Sequence, residues 1–415
     1  MKRPSSTWQH CSPTSLVITG WGAVSAAGTS PADLWQSVCQ AVVPARWLNC
    51  GATADRSARY PVCSVDVLPP LPPPGRVARK MDRGVHLAAL AAWQAWNSAR
   101  TGSGWEWTPE RVGVVAGTSR GPVEIWSDLV DSARQHRKAP SLAPASAIAG
   151  LSGALSILLN ARGPCFTVSA ACASSASAII LGAQQLLLGE ADVVVVGGAE
   201  APLYEPLLCQ LDAAGLLGTA ATPEKACRPF DVTRNGTVLG EGAAFLILET
   251  EAGARQRGAN ILAHLSGWAM SSEAHDRVGL DATGESLARI MTQAIHRSSL
   301  VPGEIGYINL HGTGTRLNDL AEAHAVQRVF GAEVLCSSTK PVTGHCMGAS
   351  AALEAVIAIE SLRRQVVPPS ANCQQQDAAC AIHLVREKAS AFRARAVMST
   401  SLGLWGHQAA LVFSR

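Results

Sequence analysis

The sequence is short of charge and of aromatic side chains. Of its 415 residues, 16% are charged and 5% aromatic, against 47% hydrophobic. That balance excludes a disordered chain, which is charge-rich and poor in apolar residues. A chain of this length can bury a large core without disulfide or metal staples. The net charge is only +3 and Lys/Arg form no polybasic run, so nucleic acid is not an expected partner. No apolar stretch approaches the ~20 residues that span a bilayer, and the segment from Met1 to Ser15 lacks an apolar signal core. The chain therefore reads as soluble and cytoplasmic, with no membrane partner. Its twelve cysteines contain no Cys-x-x-Cys pair, which leaves a zinc ribbon or dithiol redox motif without support. Reduced thiols fit a chain of this size better than a disulfide scaffold. The phosphate-cradling pattern Gly-x-x-x-x-Gly-Lys-[Ser/Thr] is absent as well.

What is present is an alternation of short apolar runs and helical periodicities. The run 15–19 reads as a buried strand followed by a glycine loop at Gly20, Gly22 and Gly28. The proline-rich segment 68–75 reads as an extended surface connector. A helix is expected from Lys80 to Arg100 and a strand over 111–116. A second helix, 173–189, carries Ala176, Ile179, Ile180, Ala183, Leu186 and Leu187 at helical spacing. Strands are expected at 192–198 and 245–249, then a polar link over 253–260. Beyond it the pattern resumes: strands at 305–310, 334–338, 397–401 and 409–413, and helices at 320–330 and 351–362. Such alternation means α/β layers. The half boundary is placed in the link, giving an N-terminal half 1–255 and a C-terminal half 256–415. The letters show no repeat, so any duplication is structural only.

Three segments carry groups suited to chemistry. Cys172 lies between an expected strand and a helix start, among Ala170, Ala171, Ala173, Ser174 and Ser175. The positive end of a helix dipole lowers a thiol pKa, and small neighbours leave room for a substrate. A buried structural cysteine is the plain alternative. His311 comes off a strand into the loop Gly312-Thr313-Gly314-Thr315. His345 sits in a glycine-bracketed turn, with Lys340 five residues before it and Glu354 nine residues after it, on the next helix. A thiol, two loop histidines and a Lys/Glu pair supply the parts for nucleophilic catalysis with nitrogen donors at a developing negative charge.

In this order, Cys172, His-Gly-Thr-Gly-Thr at 311–315 and Lys-x-x-x-Gly-His at 340–345 resemble the active-site motifs of the β-ketoacyl-ACP synthases, elongating type. The resemblance covers nearly the whole chain, from the start at 17–25 through 79–83, 229–231 and 240–244 to the C-terminal glycine loop. It implies a thiolase fold with duplicated halves in five αβαβα layers. It implies a homodimer, or a heterodimer with a related subunit. It implies decarboxylative condensation of a Cys172-bound acyl group with malonyl-ACP, in fatty acid or polyketide biosynthesis. Acyl carrier protein is the expected partner. No metal or nucleotide is expected, the phosphopantetheine being carried by that partner.

The resemblance also assigns roles. Cys172 takes the acyl chain as a thioester, held as a thiolate by the helix dipole. His311 and His345 stabilise the enolate. Lys340 orients the second histidine with Glu354 as its buried partner, and Asp319 supports the network. Thr313 and Thr315 touch the pantetheine arm. The N–H groups of Cys172 and Leu404 form the oxyanion hole. The chain departs from the family in the loop 401–407, where Leu404 stands at the gating phenylalanine and Trp405 at a glycine. Trp405 either fills space beside the acyl pocket and restricts its substrates, or points away. Two other functions stay open on the residues alone. One is an acyltransferase relative that moves an ACP-bound acyl group to an amine or alcohol without decarboxylation; the histidine pair disfavours it. The other is a non-catalytic chain-length-factor-like subunit, which Cys172 argues against.

Overall fold

In a computed structural model, the described residues are 15–51, 58–71, 81–100, 107–277 and 280–415. Half of the proline-rich segment, 72–75, lies outside them, as do Arg79 and Lys80. The helix expected from Lys80 is described from Arg83 to Arg100.

The expected strands are present, and two sets of five share one topology. In the first half, Leu16–Ser25, Val112–Gly117, Cys165–Val168, Val193–Glu200 and Gly242–Thr250 lie in the spatial order third, second, fourth, fifth, first. In the second half, Ala263–Ser272, Ile305–Asn309, Leu335–Ser337, Ala396–Leu402 and His407–Ser414 lie in the same order. The senses repeat as well. Third, second and fourth strands run parallel, and the fifth is antiparallel to both neighbours. The first strands of the halves pair with each other, Val17 with His264 and Ile18 with Ala263.

Helices divide the molecule into five layers. Arg83–Arg100 and Gly150–Leu159 pack on the outer face of the first sheet. Glu285–Arg297 and Arg316–Phe330 cover the outer face of the second. Ser174–Leu187 and Ser350–Arg364 lie between the sheets, in a core built from the inner faces of both. Central helices must be apolar all round. The run Ser350 to Leu362 is buried at every position, and only Arg363 and Arg364 at its end are not.

Two local expectations are corrected. Gly20 and Gly22 form no loop; the first strand continues through them to Ser25. They let the helix Arg83–Arg100 lie directly on the strand: a Cβ at either would strike the carbonyl of Ala95 or Ala91. Gln94 and Ser98 of that helix accept from the N–H groups of Ala23 and Trp21, at 3.1 and 3.0 Å. The polar link is no simple linker either. It begins as the short helix Glu251–Gln256, capped by the Thr250 hydroxyl, which accepts from Gly253 N–H at 3.2 Å. No helix among the described residues is long and apolar enough to cross a membrane.

Candidate active site

Three loop ends meet at the central helices. Leaving the strand Cys165–Val168, the chain turns through Ala171 at φ 49°, a left-handed conformation that costs a Cβ-bearing residue energy. The Ser174 hydroxyl holds the turn, accepting from Ala170 N–H at 2.9 Å and donating to Ala171 O at 2.6 Å. Cys172 thus sits buried, just before the helix that starts at Ser174.

His311 follows the strand Ile305–Asn309. Its loop is held by Glu322, whose carboxylate accepts from the N–H groups of His311 and Gly312 at 2.7 and 2.6 Å. His345 follows Gly344, at φ +71°, and its N–H donates to Val238 O at 2.7 Å. The Cys172 sulfur and a ring nitrogen of each histidine all lie within 4.8 Å of one another. His345 Nε2 is 3.1 Å from the sulfur, and the two rings meet edge to face with centroids 5.2 Å apart.

Lys340 is fully buried and ion-paired to Glu354. Its ammonium lies 3.2 Å from His311 Nδ1 and donates to the His311 carbonyl. This corrects the expectation that Lys340 orients the second histidine. It holds the first one by both its ring and its carbonyl, while His345 turns its Nδ1 to the Ser350 hydroxyl at 3.0 Å. An ammonium has no lone pair to offer, so Nδ1 of His311 accepts and its proton resides on Nε2.

Asp319 is buried but touches neither the thiol nor an imidazole. Its carboxylate accepts from Phe230 N–H at 2.7 Å and Gly314 N–H at 3.1 Å, and burial raises its pKa to about 6. It fixes the loop that carries Thr313 and Thr315. Their hydroxyls are 2.9 Å apart, and both line a cavity of about 90 Å³ with Cys172, His345, Met347 and Leu404. The remaining wall is largely leucine: Leu211, Leu216, Leu217, Leu239, Leu280 and Leu402.

Trp405 does not line this cavity. It is 62% exposed and adopts φ +65°, a backbone conformation suited to glycine. The expectation that its indole restricts the acyl pocket is therefore corrected: the left-handed backbone sends the side chain outward. Leu404 borders the cavity, and its N–H is directed at the Cys172 sulfur.

The electrostatics also differ from a dipole-activated thiolate. Burial pushes the Cys172 thiol up to about 11, and Lys340 and Arg120 offset only part of that. With burial as the largest influence, the thiol is neutral at rest. Both histidines are held well below the usual imidazole range, first by burial and then by the Lys340 charge. They are neutral imidazoles at physiological pH.

Several supports escaped the sequence reading: Glu322, Ser350, Glu200 and Arg120. Glu322 lies three residues beyond Asp319 on the same helix, hence on the same face. A carboxylate ending the apolar run Val193–Glu200 is a comparable signal. Ser350 and Arg120 have no such mark.

Comparison with known proteins agrees along the chain. Residues 72–254 match the family described as Beta-ketoacyl synthase, N-terminal domain, and residues 262–374 match Beta-ketoacyl synthase, C-terminal domain. The chain belongs to the β-ketoacyl synthase family. It is 34% identical to 3-oxoacyl-[acyl-carrier-protein] synthase 2 of Staphylococcus aureus (strain COL), over 81% of this chain and 83% of that one. It is 31% identical to the enzyme of the same name from Coxiella burnetii, over 96% and 98%. Among solved structures, a β-ketoacyl synthase from Burkholderia phymatum superposes with a TM-score of 0.86 at 28% identity, covering 97% of this chain and 99% of that one. A ketosynthase in complex with its chain length factor, from Xenorhabdus doucetiae, gives 0.82 at 27%, covering 98% and 99%. The fold is the thiolase fold of these enzymes, and the function is β-ketoacyl synthase condensation in fatty acid or polyketide biosynthesis.

Proposed function

We propose that this β-ketoacyl synthase works through Cys172, His311 and His345 on carrier-bound substrates, with the nucleophile in the half 1–255 and both histidines in the half 256–415. The observation that carries the reading is a buried thiol flanked by two neutral imidazoles. In the first step the Cys172 sulfur attacks the thioester of acyl-ACP. A new S–C bond forms, the carrier S–C bond breaks, and the thiol proton passes to the departing pantetheine sulfur. Because the resting thiol is neutral, proton loss accompanies the attack.

In the second step the malonyl thioester enters past Thr313 and Thr315. Its C–C bond to the carboxylate breaks, CO₂ leaves, and the electron pair becomes an enolate. His311 presents Nε2–H, and His345 presents Nε2–H when the Ser350 hydroxyl donates to its Nδ1. Both donate to the enolate oxygen. Neutral donors suit this step, since they bind the charge without protonating the carbanion. The carbanion then attacks the Cys172 thioester, whose oxyanion is received by the N–H groups of Cys172 and Leu404. The C–S bond breaks, the β-keto product leaves on the carrier that brought the malonyl group, and the released Cys172 thiolate takes a proton from solvent to restore the neutral thiol. Lys340 and Glu354 act as positioning residues through His311, and Asp319 acts through the Thr313 loop. No step requires a metal or a nucleotide.

The partner of this reading is acyl carrier protein. The edge strand Cys165–Val168 exposes Cys165 and Phe166. An unpaired edge with an apolar side chain is suited to a second chain. That supports a homodimer, or a heterodimer like the complex from Xenorhabdus doucetiae. The reading is tested by intact-protein mass spectrometry with acyl-ACP and by CO₂ release from malonyl-ACP. An acyl mass on Cys172 together with CO₂ release is the expected result. Acylation without CO₂ release, with the acyl group passed to an amine or alcohol, would overturn it in favour of simple acyl transfer.

A further inference from the structure

In each half, the loop after the second strand approaches the reaction site. In the second half that loop carries His311. In the first it runs Thr118-Ser119-Arg120-Gly121, directly off Val112–Gly117. Glu200 pins its backbone, accepting from Ser119 N–H at 2.6 Å, Arg120 N–H at 3.0 Å and the Thr118 hydroxyl at 2.9 Å. The same carboxylate accepts from Gly348 N–H at 2.9 Å, next to Met347 of the cavity wall. The Thr118 carbonyl lies 3.2 Å from the Ser174 hydroxyl oxygen, two residues beyond Cys172. Arg120 therefore belongs to a loop tied to the Cys172 turn and to the cavity wall, at the place that topology equates with the His311 loop.

Its guanidinium is half-buried and meets no protein acceptor among the described residues. The Nε atom is buried and meets no acceptor, and among the described residues no carboxylate pairs with it. Other shielded arginines here are provided for: Arg83 with Glu241 at 2.6 Å, Arg234 with Asp377 at 2.7 Å and Arg257 with Glu249 at 2.6 Å hold carboxylates, and Arg228 donates to the carbonyls of Thr219, Lys225 and Thr233. A buried donor left unpaired is costly, more so when charged. The Arg120 charge is also felt at the Cys172 thiol, where it opposes the effect of burial. The reaction scheme gives it no task. What arrives beside Cys172 in each cycle, and is absent at rest, is the acyl chain.

We propose that Arg120 is a specificity-determining residue that selects acyl chains bearing an oxygen acceptor, a carboxylate or a keto oxygen, over plain alkyl chains of equal length. This rests on the condensing reading above. The leucine wall tolerates the carbon skeleton, and the guanidinium fork pairs with the oxygen. A plain alkyl chain leaves the cation unpaired in a site now closed to water, so discrimination comes from the penalty on the wrong chain as much as from the bond to the right one.

The test uses three acyl-ACPs of one length: hexanoyl, 3-oxohexanoyl and the half-thioester of hexanedioic acid. Acylation of Cys172 is followed by intact mass in the natural enzyme, Arg120→Met and Arg120→Lys. The natural enzyme is expected to favour an oxygenated chain over hexanoyl in kcat/KM by about tenfold or more. The two oxygenated arms identify which oxygen is read. Arg120→Met should bring the ratio near one, and Arg120→Lys should retain part of it. The ratio in the natural enzyme and the Lys variant carry the test should the Met variant fold poorly. Acylation without preference in the natural enzyme overturns this proposal alone. So does an equal slowing of all three chains in Arg120→Met, which would make the arginine an electrostatic aid to the thiol. Failure of all three to acylate the natural enzyme overturns the condensing reading, and this one with it.

Discussion

After its third strand each half begins a central helix, Ser174–Leu187 in the first and Ser350–Arg364 in the second. The two starts lie side by side: Ala352 N–H donates to the Ser175 hydroxyl at 3.0 Å. The first half places a thiol before its helix, among alanines and serines. The second places an imidazole, with a buried Lys340–Glu354 pair behind it. The loops after the second strands differ likewise, one carrying Arg120 and the other His311. One topology thus presents four loop ends to a common centre, and each half supplies a different part of the chemistry. The first half holds the nucleophile in a tight, apolar pocket. The second holds neutral donors whose state is set by burial and by a fixed cation.

Separating the two contributions is the sharpest test. Cys172→Ala should abolish acyl-enzyme formation and condensation, since among the described residues no other thiol lines the cavity, while the fold survives because alanine suits a helix start. Malonyl decarboxylation should persist, as it belongs to the second half. Loss of decarboxylation in this variant, measured as CO₂ release, would show that the halves do not divide the work in this way. His345→Ala should do the reverse: Cys172 still acquires the acyl mass, and decarboxylation falls on the order of 10²–10³-fold, as when one oxyanion donor is removed elsewhere.

Stability should respond on the second side of the comparison more than the first. Lys340→Met leaves Glu354 buried without its cation, which costs roughly 3–5 kcal/mol. A melting curve checks it. The variant should also raise the pKa values of both imidazoles, because Lys340 is one of the causes that hold them down. A substitution in the first half that leaves the ion pair intact should shift the melting point much less.

The thiol gives a direct pH signature. With its pKa raised to about 11 by burial, alkylation of Cys172 by iodoacetamide should keep accelerating above pH 9. A thiolate held by the helix dipole would instead level off below the ordinary thiol range. The smallest effect is expected at the loop where sequence and family part. Trp405→Gly should leave the relative rates for acyl-ACPs of increasing bulk unchanged, because the indole faces outward. It should stabilise the protein by ~1 kcal/mol by relieving the left-handed backbone. A broadened acyl preference in that variant would place the indole over the cavity in the working enzyme.

Much of the fold was legible because it depends on local pattern. Val193–Glu200, Gly242–Thr250 and the two central helices lie within a few residues of where their apolar runs place them. The misreadings came where a residue answers to a distant partner. Gly20 and Gly22 looked like a loop because glycine usually marks one, yet here they admit a helix to the face of a strand. At the site, Cys172, His311, His345, Lys340 and Glu354 stood out because such residue types are rare at glycine-bracketed loop ends, and the structure brings them together.

By itself, then, the sequence determined the α/β alternation, the order of the strands along the chain and the identity of the reactive groups. These are carried by short-range periodicity and by side-chain chemistry. Tertiary structure alone decided which histidine Lys340 holds, that the thiol is neutral at rest, that Trp405 faces solvent, and that Arg120 stands near Cys172 without a partner. Each of these depends on burial, or on a neighbour dozens to hundreds of residues away. Desolvation and long-range pairing are properties of the packed molecule, and no local stretch of the chain contains them.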